Sequence, residues 1–278
     1  MSSIDAHGLR RVDLTELREV QLRLLLDLDD FCVSHDLRCL LAAGTLLGAV
    51  RHSGFIPWDD DVDVMLPRPD YERLLASADE LESVTGHRLR FSEGLKDPFP
   101  YPYAKFMASS TVLVEHGDAR VPIGINIDVF PLDSWPSSRL YRGLRRRLLR
   151  ALGNVVRLKS WTRDQDPGWR GKAWWSLKPL VFAVPMGWVI TAVSFLAARS
   201  GSRFGPESVS GIIVWGYQEE VPSASILPPA GISFEGHQLR GPREPAVVLE
   251  RIYGDYMEPP PPESRASRHS FDAFVRID

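Results

Sequence analysis

The densest acidic cluster in the chain is Asp59, Asp60, Asp61 and Asp63, set between Trp58 and the apolar positions Val62, Val64 and Leu66. Like charges repel, and an unpaired buried carboxylate is expensive. The cluster is therefore either a solvated turn or the seat of something positive. Val62, Val64 and Leu66 alternate with Asp61, Asp63 and Met65 at the period of a strand. Residues two apart on a strand share a face, so Asp59, Asp61 and Asp63 come together if the strand reaches back that far. Carboxylates on one rigid face suit a hard divalent cation, Mg²⁺ with Mn²⁺ as its substitute, which binds one or two of them plus phosphate oxygens and water. A lone acid, Asp128, lies inside the apolar run "GINIDVFPLD". It needs a partner there, and a cation shared with Asp61 and Asp63 would supply one.

A phosphate site is expected beside the acids. "RCLLAA" reads as a short strand, Gly44-Thr45 as a small-residue turn, and "LLGAVRH" as the start of a helix. Such a turn presents backbone N–H groups and the positive helix end to an anion. Thr45 adds a hydroxyl, and Arg51 and His52 follow about two turns later. A calcium loop is a rival, because Asp59, Asp61, Asp63 and Asp70 have the spacing of EF-hand ligands. Val64, however, stands where that loop needs glycine.

These residues need elements to hold them. Asp13-Leu-Thr-Glu16 is a capping box, and Leu14, Leu17, Val20, Leu24, Leu25 and Leu28 continue it as a helix to about residue 35. "RPDYERLLASADELESV" reads as a second amphipathic helix, with Pro69 near its start. Strands are expected over residues 87–92, 103–108, 111–115 and 125–130. Interleaving of this kind predicts an α+β core, a small mixed sheet flanked by helices, over residues 1–135. Residues 136–205 read as a helical insertion. It holds the basic amphipathic "RGLRRRLLRALGNVVRLK" and then 20 uncharged residues, 179–198. That run has the length of a membrane span, but a span would part the acidic cluster from the C-terminal segment. Pro185 and Gly187 also interrupt it. A buried hairpin, or a surface lying on a membrane beside the basic helix, is the expectation. Residues 206–278 complete the core, and Tyr253-Gly254 reads as a helix end with a glycine cap.

Composition agrees with a folded globular chain: 278 residues, 44% hydrophobic and 25% charged. A net charge of −3 gives no reason to expect nucleic acid as a partner. Cys32 and Cys39 read as reduced thiols, and "MSSIDAHGLRRVDL" lacks the apolar core of a signal peptide, so the cytoplasm is expected.

The stretch "AAGTLLGAVRHSGFIPWDDDVDVMLPRPDYERLL" resembles the signature of the LicD family of phosphotransferases, which includes the fukutin-type proteins. The resemblance continues in "GINIDVFPLD" and in "FEGHQLRGPREPAVVLERIYGDYMEPPPPESRASRH", covering roughly residues 14–135 and 232–270. It implies a nucleotidyltransferase-type fold and the transfer of phosphocholine, or a related phospho-alcohol, from a CDP-linked donor to a glycan hydroxyl. By position, Gly44 and Thr45 match the family's small-residue turn. Asp61 and Asp63 match its paired metal ligands, Asp128 its third acid, and Asp59 the first acid of its triplet. Asn126 stands where the family often has an apolar residue. On this reading Asp128 also helps deprotonate the acceptor. Lys105 is a phosphate-binding candidate, with a plain strand-edge lysine as the alternative, and His269 is a candidate from the tail. Two other activities stay open: nucleotidyl transfer with release of pyrophosphate, and nucleotide binding without turnover. Membrane contact, where it occurs, would be peripheral, at the inner face of the plasma membrane.

Overall fold

In the computed structural model the capping box closes as the sequence predicts. The Asp13 carboxylate accepts the Glu16 N–H (2.9 Å) and the Glu16 carboxylate accepts the Asp13 N–H (3.2 Å). This starts α1 (Leu14–Ser34), which buries Leu17, Leu24, Leu25 and Leu28 and leaves Leu14 exposed. The structure describes residues 8–94, 96–97, 99–115, 123–160, 183–199, 208–214, 220–261, 263, 265 and 271–277. Ahead of α1 lies β1 (Leu9–Arg11). After it come β2 (Leu40–Leu41), α2 (Ala43–His52), β3 (Asp63–Pro67), α3 (Arg68–Ala76), α4 (Ala78–Thr85), β4 (Arg88–Arg90), β5 (Ala104–Met107) and β6 (Thr111–Glu115). The long strand β7 (Asn126–Ser134) leads into α5 (Arg139–Ser160) and α6 (Met186–Ala198). The remainder is β8 (Val209–Gly211), β9 (Val221–Pro222), α7 (Ser223–Ile226), β10 (Ala230–Phe234), β11 (His237–Gly241), α8 (Pro245–Tyr253) and β12 (Phe271–Arg276).

The fold class is α+β. The central sheet is mixed, in the order β2-β3-β7-β5-β4, and β8 and β9 extend it from the end of β7. β3 and β7 are parallel neighbours, while β5 runs antiparallel on the other side of β7. Every residue of β3 is buried, because α2 and α3 pack on the strand. Its apolar run therefore fills both faces of the sheet rather than one. A second sheet sets β12 between β1 and β6, and the β10–β11 hairpin and α8 pack on α2. The C-terminal segment thus closes over the same helix that opens beside the acids.

Four expectations change here, and the calcium-loop rival that Val64 had disfavoured falls with them. The strand expected to run through the acidic cluster begins only at Asp63, so Asp59 and Asp61 reach the site from a loop. The second amphipathic helix is two helices, parted at Ser77, where the backbone leaves helical geometry. Gly44 and Thr45 lie within the first turn of α2, not in a turn ahead of it. Asp70 belongs to α3 and binds Arg38 (2.6 Å), which removes the calcium-loop reading. Finally, Lys105 sits on an interior strand, bounded by β4 and β7, and is buried.

The uncharged run also gains a cause. Residue 183 is helical, Val184 and Pro185 are not, and Pro185 caps the new helix α6, so the proline interrupts the run as the sequence predicts. Val189 and Ile190 of α6 bury against Val156 of α5, and Val193 and Ala197 join the main core. Among the described residues, no helix is long and apolar enough to cross a membrane. Gly254 caps α8 with a positive φ of 71°, as its sequence context predicts. Cys32 and Cys39 are free and buried, and the neighbouring Cys32 pushes the Cys39 thiol up, with burial adding to the effect.

Gly48 fixes how closely the loop before the acids lies on α2. A Cβ there would overlap the Gly54 carbonyl and come within 3.3 Å of the Ile56 nitrogen. Gly48→Ala should lower stability by about 2 kcal/mol, the usual scale of overpacking. Urea unfolding reads this directly, and an unchanged midpoint would mean that the loop is free to lift off the helix.

Candidate active site

Parallel pairing of β3 and β7 sets Asp63 in register with Asp128. In-register residues of neighbouring strands project to the same face of a sheet, so the register brings two carboxylates from distant parts of the chain side by side. Asp63 is buried. Burial pushes its carboxyl well above the usual carboxylate range, and Asp61, Asp128 and Asp59 add to the shift in that order. Lys105 opposes it. The other three predicted acids therefore all act on Asp63.

Asp59, Asp60 and Asp61 come from the loop ahead of β3, each presenting a carboxylate oxygen within 4.8 Å of the others. Asp60 was not expected among them. A strand would have turned it away, whereas a loop lets three consecutive side chains converge. Two polar residues of α1 hold this loop by its backbone. Arg18 donates to the carbonyls of Ile56 (2.8 Å) and Asp59 (2.8 Å), and Gln21 donates to that of Asp60 (2.9 Å). Gln21 also reaches the Asn126 carbonyl (3.4 Å), which joins the loop to β7. Neither positioning residue was foreseen, yet a glutamine inside the Leu17-Leu24-Leu28 stripe was a readable signal.

Gly44 gives the loop acids room. A Cβ there would stand 2.8 Å from Asp59 Oδ2 and 4.0 Å from Asp61 Oδ1. The start of α2 thus faces the acids themselves. Thr45 Oγ1 accepts the Asp63 N–H (2.8 Å), so the buried hydroxyl ties α2 to the first residue of β3. Ala43, at the head of the helix, has a φ of 41°. Few side-chain-bearing residues adopt that region, and those that do cluster at functional sites.

The partner that Asp128 requires is a protein cation. Lys105 Nζ donates to Asp128 Oδ1 (2.6 Å) and to Asn126 Oδ1 (3.1 Å), and the Tyr103 hydroxyl also hydrogen-bonds Asp128. Burial, followed by the Asp128 charge, pushes the Tyr103 hydroxyl well up. Asn126 is therefore part of the site and not a neutral departure. The Lys105 ammonium also lies 4.6 Å from the Tyr101 ring centre and 5.5 Å from that of Tyr103. The chain's own cation fills the aromatic corner nearest the acids.

Arg51 and His52 are not brought to the carboxylates. They lie at the other end of α2, about 10 Å from Gly44 along the helix axis. Arg51 Nε donates to His52 Nε2 (3.0 Å) and Nη1 to the Tyr256 carbonyl (2.9 Å). Burial, then Arg51, lowers the His52 pKa, which leaves a neutral imidazole accepting from its neighbour. Arg51 and Arg265 both lie over the Trp58 ring, at 6.0 and 5.2 Å. Burial and then Arg265 disfavour the charge on Arg51. His269 falls outside the described residues.

The donor set fits a hard divalent cation. Every candidate ligand is a carboxylate oxygen. Those of Asp59, Asp60 and Asp61 lie within 4.8 Å of one another, a grouping that includes neither Asp63 nor Asp128. A cation held there would offset the acidic charge that adds to the effect of burial on Asp63.

Comparison with known proteins points to the same stretch of the chain. A family model described as "LicD/FKTN/FKRP, nucleotidyltransferase domain" matches residues 36–135, the stretch that holds β2, α2, the acidic loop, β3, β5 and β7. The chain is 26% identical over 278 aligned positions to the lipopolysaccharide cholinephosphotransferase LicD of Haemophilus influenzae, covering 93% of this chain and 98% of that one. An uncharacterised protein of Rickettsia typhi is 30% identical over 88 residues, 30% of this chain and 27% of its own. Residues 36–135 are thus similar to the LicD/FKTN/FKRP nucleotidyltransferase domain, as the sequence resemblance implies.

Proposed function

We propose that this chain transfers a phospho-alcohol, phosphocholine in the first instance, from a CDP-activated donor to a sugar hydroxyl of lipopolysaccharide or its lipid-linked precursor. The observation that carries this reading is the register of Asp63 with Asp128 beside the Asp59–Asp61 loop. Similarity over nearly the full length of a lipopolysaccharide cholinephosphotransferase supports the choice of substrates.

In the proposed reaction the acceptor oxygen attacks the phosphorus that bears the alcohol. The bond from that phosphorus to the bridging oxygen breaks, CMP leaves with that oxygen, and the hydroxyl proton passes to a carboxylate. Asp128 is assigned that proton, a general-base contribution of about 10²–10⁴-fold. Lys105 and Tyr103 orient its carboxylate. Asp59, Asp61, Asp63 and Asp128 would hold Mg²⁺ or Mn²⁺. Such an ion, when bound, offsets the charge of the donor diphosphate. Gly44 and Thr45 keep the head of α2 close to that diphosphate. Arg51 and Arg265 set two cations at the opposite end of the helix, where the rest of an acidic donor would meet them.

A panel of CDP-linked alcohols, with Mg²⁺ and candidate glycans, tests the reaction. CDP-choline should yield CMP, and Asp128→Asn should cut turnover by about 10²–10⁴-fold while leaving the fold intact. Release of pyrophosphate would mean nucleotidyl transfer instead. Nucleotide binding with no turnover would leave only a binding module.

The metal assignment has its own sign in pH. Because Asp63 titrates above its unfolded value, the metal-free protein loses stability as pH rises through that raised pKa, and regains it as Asp63 is protonated. The ionised form is the one that attracts a cation. Mn²⁺ should therefore raise the melting temperature more near pH 7.5 than near pH 5, as differential scanning fluorimetry would show. Equal rises at both pH values would detach the ion from Asp63.

A further inference from the structure

The α5 helix carries seven arginines and one lysine and no acidic residue, in a chain whose net charge is −3. The structure sorts this charge by face. On the inner face Arg145 is buried, donating to the Ala197 carbonyl (2.6 Å) and stacking on Trp135, while Arg142 and Arg146 both bind Glu220. On the outer face Leu140, Leu144 and Leu148 are exposed, at 86%, 54% and 44%. Their i, i+4, i+8 spacing makes one stripe about 12 Å long, and the exposed Ala151 continues past it. Arg139, Arg147 and Arg150 lie along one flank of that stripe, exposed and with no acidic partner among the described residues.

An apolar stripe costs free energy in water, and three like-charged guanidiniums along one flank, with no acidic partner among the described residues, add to that cost. A single kind of partner relieves both at once: a surface with an apolar interior beneath a layer of negative charge. From this we infer that the outer face of α5 docks on an anionic lipid bilayer. Leu140, Leu144 and Leu148 enter the acyl boundary, and Arg139, Arg147 and Arg150 meet the headgroups. The helix lies in the plane of the interface, consistent with the absence of a spanning helix among the described residues. This binding is separate from the reaction proposed above, since α5 contributes no residue to the acidic site.

Flotation of the full chain with vesicles, read by the fraction bound, tests it. Vesicles containing phosphatidylglycerol should carry the protein at low salt, vesicles of phosphatidylcholine alone much less, and added salt should release it. The triple variant Leu140→Gln, Leu144→Gln, Leu148→Gln should bind at least about tenfold more weakly. Removing the flank with Arg139→Gln, Arg147→Gln and Arg150→Gln should abolish the preference for anionic lipid. Thermal midpoints of both variants should match the parent, and Leu144→Gln alone replaces the triple if that one fails to fold. A parent chain that stays unbound at low salt would overturn the inference. So would leucine and arginine variants that float as the parent does, or a dimer of the parent chain that the leucine variant dissolves, which would make the stripe a contact between two copies.

Discussion

Hydrogen bonding between β3 and β7 forces Asp63 and Asp128 to stand side by side in a protein interior. The pairing is parallel and matches Asp63 with Asp128, Val64 with Val129 and Met65 with Phe130, so a slip of one residue on either strand would part the two acids and carry one of them to the face that now holds Val64 and Val129. The burial of Val64, Leu66, Ile127 and Val129 therefore fixes the separation of the two acids. Burial of Asp63 opposes that arrangement first, and the charges of Asp61, Asp128 and Asp59 add to it, both favouring the protonated carboxyl. Packing of apolar side chains is what holds an electrostatically unfavourable cluster together.

Much around this pair can be understood as support for it. The Thr45 hydroxyl holds the first N–H of β3, Gln21 and Arg18 hold the loop carbonyls, and Lys105 balances Asp128 from the opposite strand. Gly44 and Gly48 let α2 lie close to the loop on which Asp59 and Asp61 sit. The hairpin of β10 and β11 then closes the outer side, where the Glu235 carboxylate accepts the Phe55 N–H (2.9 Å). These contacts leave little freedom to the acids, as a site built to meet a charged group requires.

How far the sequence reveals this depends on the range of each interaction. The capping box of α1, the glycine cap of α8 and the acidic residues themselves are local features, and they are legible. The pairing of Asp63 with Asp128 could be inferred, since two lone acids in apolar runs each need company. The partner of Asp128 could not, because Lys105 meets it only through the antiparallel pairing of β5 with β7. The alternation around Val62 suggested a longer strand than exists; loop geometry, not strand period, gathers Asp59, Asp60 and Asp61. β1, three residues long, could not be found without β12, which it pairs with and which is itself held on its other side by β6.

Anomalous diffraction from crystals soaked in Mn²⁺ tests the central claim most directly. The account predicts one ion bonded at about 2.1 Å to both Asp63 and Asp128, with an oxygen of the Asp59–Asp61 loop completing the set. An ion held by the loop aspartates alone, with Asp128 still bound to Lys105 and Tyr103, would contradict it.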